Sequence, residues 1–161
     1  MIGILADSHD NLAALRRAAG IFRDAGCKLF IHAGDVIAPF AARELEKAGC
    51  PVRAVFGNCD GEREGLRAVL DPLGGIHDEP HLFDYLGKTY LLIHRHEKLD
   101  ALLKKHAPSV LIYGHTHKTD IRSEGDTLII NPGEAGGWLS GRSTAAILDP
   151  KTRRATIIGL T

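Results

Sequence analysis

The stretch 28-KLFIHAGD-35 is an apolar run that stops at a Gly-Asp turn, and two neighbouring stretches, 2-IGILADSH-9 and 51-PVRAVFGNCD-60, are built the same way. Each reads as a short buried strand, apolar and then abruptly polar at its C-terminal end. Between them lie Asn11 to Ala25, with Leu12, Leu15, Ala19 and Phe22 at helical spacing ahead of Gly26, and Pro39 to Lys47 ahead of Gly49. Both predict helices with glycine stops. Strands that alternate with helices need crossover connections and form a mostly parallel sheet, in which ligands collect at the carboxyl ends of the strands. Asp7, His9, Asp35 and Asn58 all fall at such ends.

Further along, Glu62 to Leu70 predicts a helix, and the chain then turns β-rich. His81 to Tyr85 and Thr89 to His94 read as a hairpin through Leu86-Gly87-Lys88, followed by a helix over Leu99 to His106 and a strand over Ser109 to Tyr113. Short β runs follow at Thr119 to Ser123, Thr127 to Asn131, Ser143 to Leu148 and Ala155 to Ile158, separated by Gly, Asp and Pro turns. This second half is expected to supply a second, mixed sheet. Two sheets face to face with helices outside make an α/β fold, a four-layer αββα sandwich. A length of 161 residues suits one domain with a single substantial core, and no internal repeat, low-complexity segment or linker interrupts it.

The formal net charge is zero and Lys and Arg form no long tract, so a polynucleotide partner is not expected. Cys27, Cys50 and Cys59 are odd in number, without a C-x-x-C pair, which fits a reducing cytoplasm better than a disulfide framework. The apolar run Met1 to Ala6 is too short for a signal-peptide core or a membrane span. Nine histidines are the unusual feature, several of them flanked by Asp, Gly or another His. Histidine is the commonest metal ligand and the side chain that titrates near neutrality.

Asp7-Ser8-His9 offers a carboxylate and an imidazole from one loop, Gly34-Asp35 a second carboxylate and Gly57-Asn58-Cys59-Asp60 an amide. Asp7 and Asp10 equally suit the cap of the following helix, and Gly, Asn and Asp are ordinary turn residues. Three consecutive strands that each end in an oxygen donor are nevertheless what a cation site at a sheet edge requires. His94 follows the apolar Tyr90-Leu91-Leu92-Ile93, and His115 and His117 follow Val110 to Tyr113. Two imidazoles flanking one residue after a buried strand repay their desolvation through partners, and a shared metal is the simplest one.

These ordered motifs, D-x-H at Asp7, G-D at Asp35, G-N-C-D at Gly57, the post-strand His94 and G-H-T-H at Gly114, resemble the calcineurin-like metallophosphoesterase superfamily. The resemblance is strongest to its small bacterial and archaeal branch of phosphodiesterase type, and it runs from Asp7 to about Gly133. It implies the αββα sandwich and two divalent metal ions. One would be bound by Asp7, His9 and His117, the other by Asn58, His94 and His115, with Asp35 bridging both. Manganese is the expected metal, and iron, zinc, nickel or cobalt are chemically admissible. Two ions about 3.5 to 4 Å apart would activate a bridging water as hydroxide for in-line attack on phosphorus. The implied substrates are small phosphoesters, diesters ahead of monoesters. The same scaffold also serves as a protein-interaction subunit in eukaryotic retromer, a noncatalytic alternative. An aspartyl-phosphate enzyme is a third reading, but its usual second Asp is His9 here. The sequence leaves a homodimer open.

The chain departs from the wider superfamily at Cys59, where many phosphatases carry a histidine that assists the leaving group. His96, two residues past His94, is the nearest remaining acid and is expected to protonate the leaving oxygen. Arg95 stands where the branch usually has Gly and either contacts a substrate phosphate or faces solvent. Glu134 follows Asn131-Pro132-Gly133 where Ser is usual, ahead of Gly136-Gly137-Trp138. His32 suits a place behind the ligands, and Cys27 and Cys50 suit packing positions.

Overall fold

The computed structural model describes residues 1–160 as two mixed sheets packed face to face with helices on both outer sides. In chain order, β1 (Ile2–Leu5) leads to helix α1 (Leu12–Asp24) and β2 (Leu29–His32). Helix α2 (Pro39–Ala42) precedes β3 (Val52–Val55), and helix α3 (Arg63–Leu70) precedes the two-residue β4 (Ile76–His77). These four strands are mutually parallel neighbours. The hairpin β5 (His81–Tyr85) and β6 (Lys88–Leu92), helix α4 (Leu99–His106), β7 (Val110–Ile112), β8 (Thr119–Glu124) and β9 (Thr127–Pro132) follow. They build the second sheet in the order β5-β6-β7-β9-β8, with β6, β7 and β9 parallel and antiparallel strands at both edges.

The last two strands, β10 (Thr144–Asp149) and β11 (Arg154–Gly159), do not extend this second sheet as the sequence reading expects. β10 returns to pair antiparallel with β1, Ile2 opposite Leu148 and Ile4 opposite Ala146, and β11 forms the edge. Ala146 and Leu148 thereby enter the apolar layer between the sheets, and the open edge of β1 is covered. The second helix also differs from its expected span. Only Pro39–Ala42 is α-helical, and Arg43–Ala48 tightens into a 3-10 segment closed by Gly49 in the left-handed region. In a 3-10 turn residues three apart eclipse, and Lys47 Nζ lies 2.5 Å from Glu44 Oε2 across that interval.

Strand alternation sorts the core into layers. Ile2, Ile4, Ile31, Tyr90, Leu92, Ile112 and Ile130 fill the space between the sheets. Leu5 and Phe30 join Leu15, Phe22 and Leu45 beneath the helices of the first sheet, while Leu91, Leu111 and Ile129 meet Leu99 and Leu103 of α4. No helix among the described residues is long and apolar enough to cross a membrane.

Gly3 shows how tightly α1 lies on β1. A Cβ at this position would stand 2.3 Å from the ring of Phe22, which is fully buried and has nowhere to retreat. Gly3→Ala is expected to destabilise the protein by about 1–3 kcal/mol, the usual range for overpacking. Urea unfolding should show this as a lower midpoint at unchanged slope, and an unmoved midpoint would contradict the packing described here.

Candidate metal centre

The strand ends converge through strained, tightly held loops. Asp7, His9, Asp35, His115 and His117 all have positive φ, between 43° and 67°. Non-glycine residues adopt this region at a cost of about 1–3 kcal/mol each, and they keep it only where the surroundings over-determine the backbone. Here Asp7 N donates to Gly34 O at 3.0 Å and His9 N to Asp35 O at 3.1 Å, locking the loop after β1 to that after β2. The buried Asp60 carboxylate ties the loop after β2 to that after β3, accepting from Asp35 N (3.0 Å), Gly57 N (2.7 Å) and Ile37 N (2.7 Å). A Cβ on Gly57 would fall 2.0 Å from Asp35 Oδ1, so only glycine admits this crossing. On the second sheet, Asn131 Nδ2 donates to Gly114 O and Thr116 Oγ1, each at 3.0 Å, and shapes the turn that carries His115 and His117.

These loops gather three overlapping donor groups, Asp7-His9-His117, Asp7-Asp35-His94 and His9-Asp35-Cys59, each with its ligand atoms within 4.8 Å of one another. Asp35 Oδ2 lies 3.5 Å from His94 Nε2 and 3.7 Å from His9 Nε2, and Asp7 Oδ1 lies 3.5 Å from His117 Nε2. Asn58 joins through its Oδ1, 2.9 Å from His94 Nε2. His115 packs its ring 5.1 Å from that of His94, and His96 stands 6.3 Å further out against His115. Asp7, Asp35 and His94 are buried, whereas Asn58, Arg95 and His96 are exposed at the rim.

The electrostatics call for a cation. Burial pushes the Asp7 carboxyl up to about 7, although His94 and His117 pull it down. Burial also opposes the charge on Asp35, but the His94 imidazole and the Cys59 N–H hold it below the usual carboxylate range. His94 Nδ1 must donate to Ala33 O at 2.8 Å, so in a neutral ring the Nε2 lone pair faces the Asn58 oxygen. That pairing is repulsive unless a second proton or a metal ion lies between them. Burial works against the second proton, yet Asp35 outweighs it and raises His94. His9 Nε2 is buried without a hydrogen-bond partner among the described residues, and burial lowers its basicity. A divalent ion replaces these protons and satisfies both lone pairs and carboxylates, so the donor set fits a metal. Desolvation and the Asp35 charge push the Cys59 thiol up to about 11, which leaves it a poor ligand beside the imidazoles.

Two residues have roles that the motifs do not reveal. Asp60 is the loop anchor described above. Glu134 is almost fully buried, its Oε1 3.3 Å from His117 Nδ1 but not aligned as a hydrogen bond. The same carboxylate accepts from Leu139 N and Ser140 N. Burial raises Glu134, and these N–H groups together with His117 more than reverse it, to about 2. It thus stands 3.3 Å behind a candidate ligand, where an outer partner of a metal-bound imidazole would sit, while fixing the loop whose Leu139 and Ser140 wall the centre. The only hint in the sequence is its departure from Ser after Asn131-Pro132-Gly133. His32 is buried behind the site, its Nε2 3.0 Å from Ser8 Oγ.

Comparison with known proteins agrees with the fold and the ordered motifs. The family model of the calcineurin-like phosphoesterase superfamily domain matches residues 1–153. The chain belongs to this superfamily. A phosphodiesterase of Methanocaldococcus jannaschii is 35% identical over 159 residues, covering 94% of each chain. The phosphodiesterase YfcE of Escherichia coli is 31% identical over 145 residues, covering 80% of this chain and 75% of its own. Among solved structures, an archaeal phosphodiesterase superposes with a TM-score of 0.92 at 34% identity over 98% of both chains.

Glu134→Ala removes the carboxylate behind His117 and strands two loop N–H groups. Titration calorimetry with manganese should show affinity weakened roughly 10- to 100-fold, the usual effect of losing an outer partner of a metal ligand. Undiminished affinity would show that Glu134 serves only the loop.

Proposed function

We propose that the chain is a two-metal phosphodiesterase acting on small phosphoesters. The observation that carries this reading is the overlap of two donor groups at Asp7, one with His9 and His117 and the other with Asp35 and His94. A cluster with such a shared donor suits two adjacent ions. Asp7, His9 and His117 would hold one ion, Asn58, His94 and His115 the other, and Asp35 both. When bound, the ions supply an activated water and positive charge against the phosphoryl oxygens. Manganese is our assignment among the first-row ions that mixed imidazole and oxygen donors accept.

The chain's own residues prepare the site. Ala33 O fixes the His94 tautomer, leaving Nε2 to face the centre. Asp60 and Asn131 hold the loops that present Asp35, Asn58, His115 and His117 in a fixed arrangement, which removes reorganisation from the reaction. The centre opens into a hollow of about 520 Å³ bounded by Cys59, Thr116, Lys118, Leu139 and Ser140, with room for a phosphoryl group and one ester arm. His96, exposed at the rim beyond His115, passes a proton to the departing oxygen. Arg95 beside it is exposed at the same rim and would meet a substrate there. The phosphodiesterase names of relatives at 35% and 31% identity favour diesters over monoesters.

Metal-stripped protein resupplied with manganese should hydrolyse bis-p-nitrophenyl phosphate, and Asp35→Asn should lower kcat/KM by about a hundredfold or more, at or beyond the upper end for outer partners of metal ligands. Turnover indifferent to stripping and to the substitution would sink the two-metal mechanism. Stoichiometric metal binding without turnover of any ester would favour a noncatalytic interaction module.

A further inference from the structure

Beside the centre a second, smaller hollow of about 280 Å³ opens against Asn58, which therefore walls both spaces. Its lining includes Arg63, Arg95, Asp78 and Glu79 over Phe56. The Arg63 guanidinium lies 4.4 Å and that of Arg67 4.8 Å from the centre of the Phe56 ring, which is itself 2% exposed. Stacking on a buried ring holds a guanidinium in place without using its N–H groups. Asp78 is the carboxylate facing them, and it is divided between Arg63 Nη1 (2.6 Å) and Arg67 Nη2 (3.4 Å). Glu79 is engaged elsewhere, its Oε2 accepting from His94 N and Arg95 N at 2.5 and 3.0 Å. The Arg95 side chain has no hydrogen-bond or ion-pair partner among the described residues. Of the two arginines that line the hollow, Arg63 shares Asp78 with Arg67 and Arg95 is left unpaired while Glu79 serves two backbone N–H groups, so free guanidinium donors open next to the site of phosphoryl chemistry.

We infer that this hollow is a second anion subsite, with Arg63 and Arg95 receiving a phosphate group carried on one arm of the substrate. The inference rests on the phosphoesterase reading and narrows its substrate class to esters bearing a further phosphate. Arg63 keeps its Nε and Nη2 donors for the anion, and Arg95 lines the same hollow with its guanidinium unpaired; a guanidinium fork suits phosphate oxygens. Arg95 acts on the remote group and not on the reacting phosphorus, so its effect is on binding and selectivity.

Calorimetry on the manganese-loaded protein compares thymidine 3′,5′-bisphosphate with thymidine 5′-monophosphate. The bisphosphate should bind roughly five- to tenfold more tightly, as expected for contacts with partly exposed charges. The advantage should shrink with added salt and disappear in Arg63→Gln and in Arg95→Gln. Equal affinities, or an advantage that survives both substitutions, overturn the subsite. Turnover of thymidine 5′-(p-nitrophenyl phosphate) by the same sample reports separately on the hydrolase. Turnover with equal nucleotide affinities sinks the subsite alone, whereas a bisphosphate advantage without turnover keeps the subsite and sinks the hydrolase.

Discussion

Two carboxylates, Asp7 and Asp35, are buried among imidazoles at one edge of the paired sheets, and the cost of that burial constrains everything around them. Among the described residues neither pairs with a lysine or arginine. Burial pushes the Asp7 carboxyl up to about 7, and Asp35 stays below the usual carboxylate range through His94 and the Cys59 N–H, its charge in turn raising His94. Such a cluster is stable only with protons or cations in its midst. The strained turns at Asp7, His9, Asp35, His115 and His117 exist to aim donors inward, and Asp60 and Asn131 hold that strain in place through backbone hydrogen bonds.

Much of this was legible in the sequence because strand ends are easy to see. Apolar runs such as Lys28 to Ala33 and Tyr90 to Ile93 stop abruptly at Gly, Asp or His, and parallel topology sends those stops to one edge. The ligand candidates and the two-sheet sandwich follow from that pattern. The pairing of β10 with β1 was not legible, because Thr144–Asp149 would fit either sheet and only the need to cover the edge of β1 decides. β4 is two residues long and carries no periodicity. Asp60 reads as a turn residue, and Glu134 reads as a loop residue until the loop folds back on His117.

The walls of the centre differ in chemistry. On one side Glu134 fixes a loop that presents Leu139, and Trp138 Nε1 donates to His9 O, giving an apolar lip. On the other side Asn58 leads to Arg63 and Arg95, a polar and cationic flank. A diester spanning the centre would meet one apolar and one charged arm-binding surface. This asymmetry belongs to Arg95, Glu134 and the loop after Gly136.

The central claim is that the buried carboxylates exist to hold two ions. Its most direct test is anomalous diffraction from crystals grown with manganese, with the metal content of the same protein counted by elemental analysis. The account predicts two peaks per chain on either side of Asp35, one beside Asp7, His9 and His117 and the other beside Asn58, His94 and His115. A single peak, or peaks that leave Asp35 uncoordinated, would contradict it.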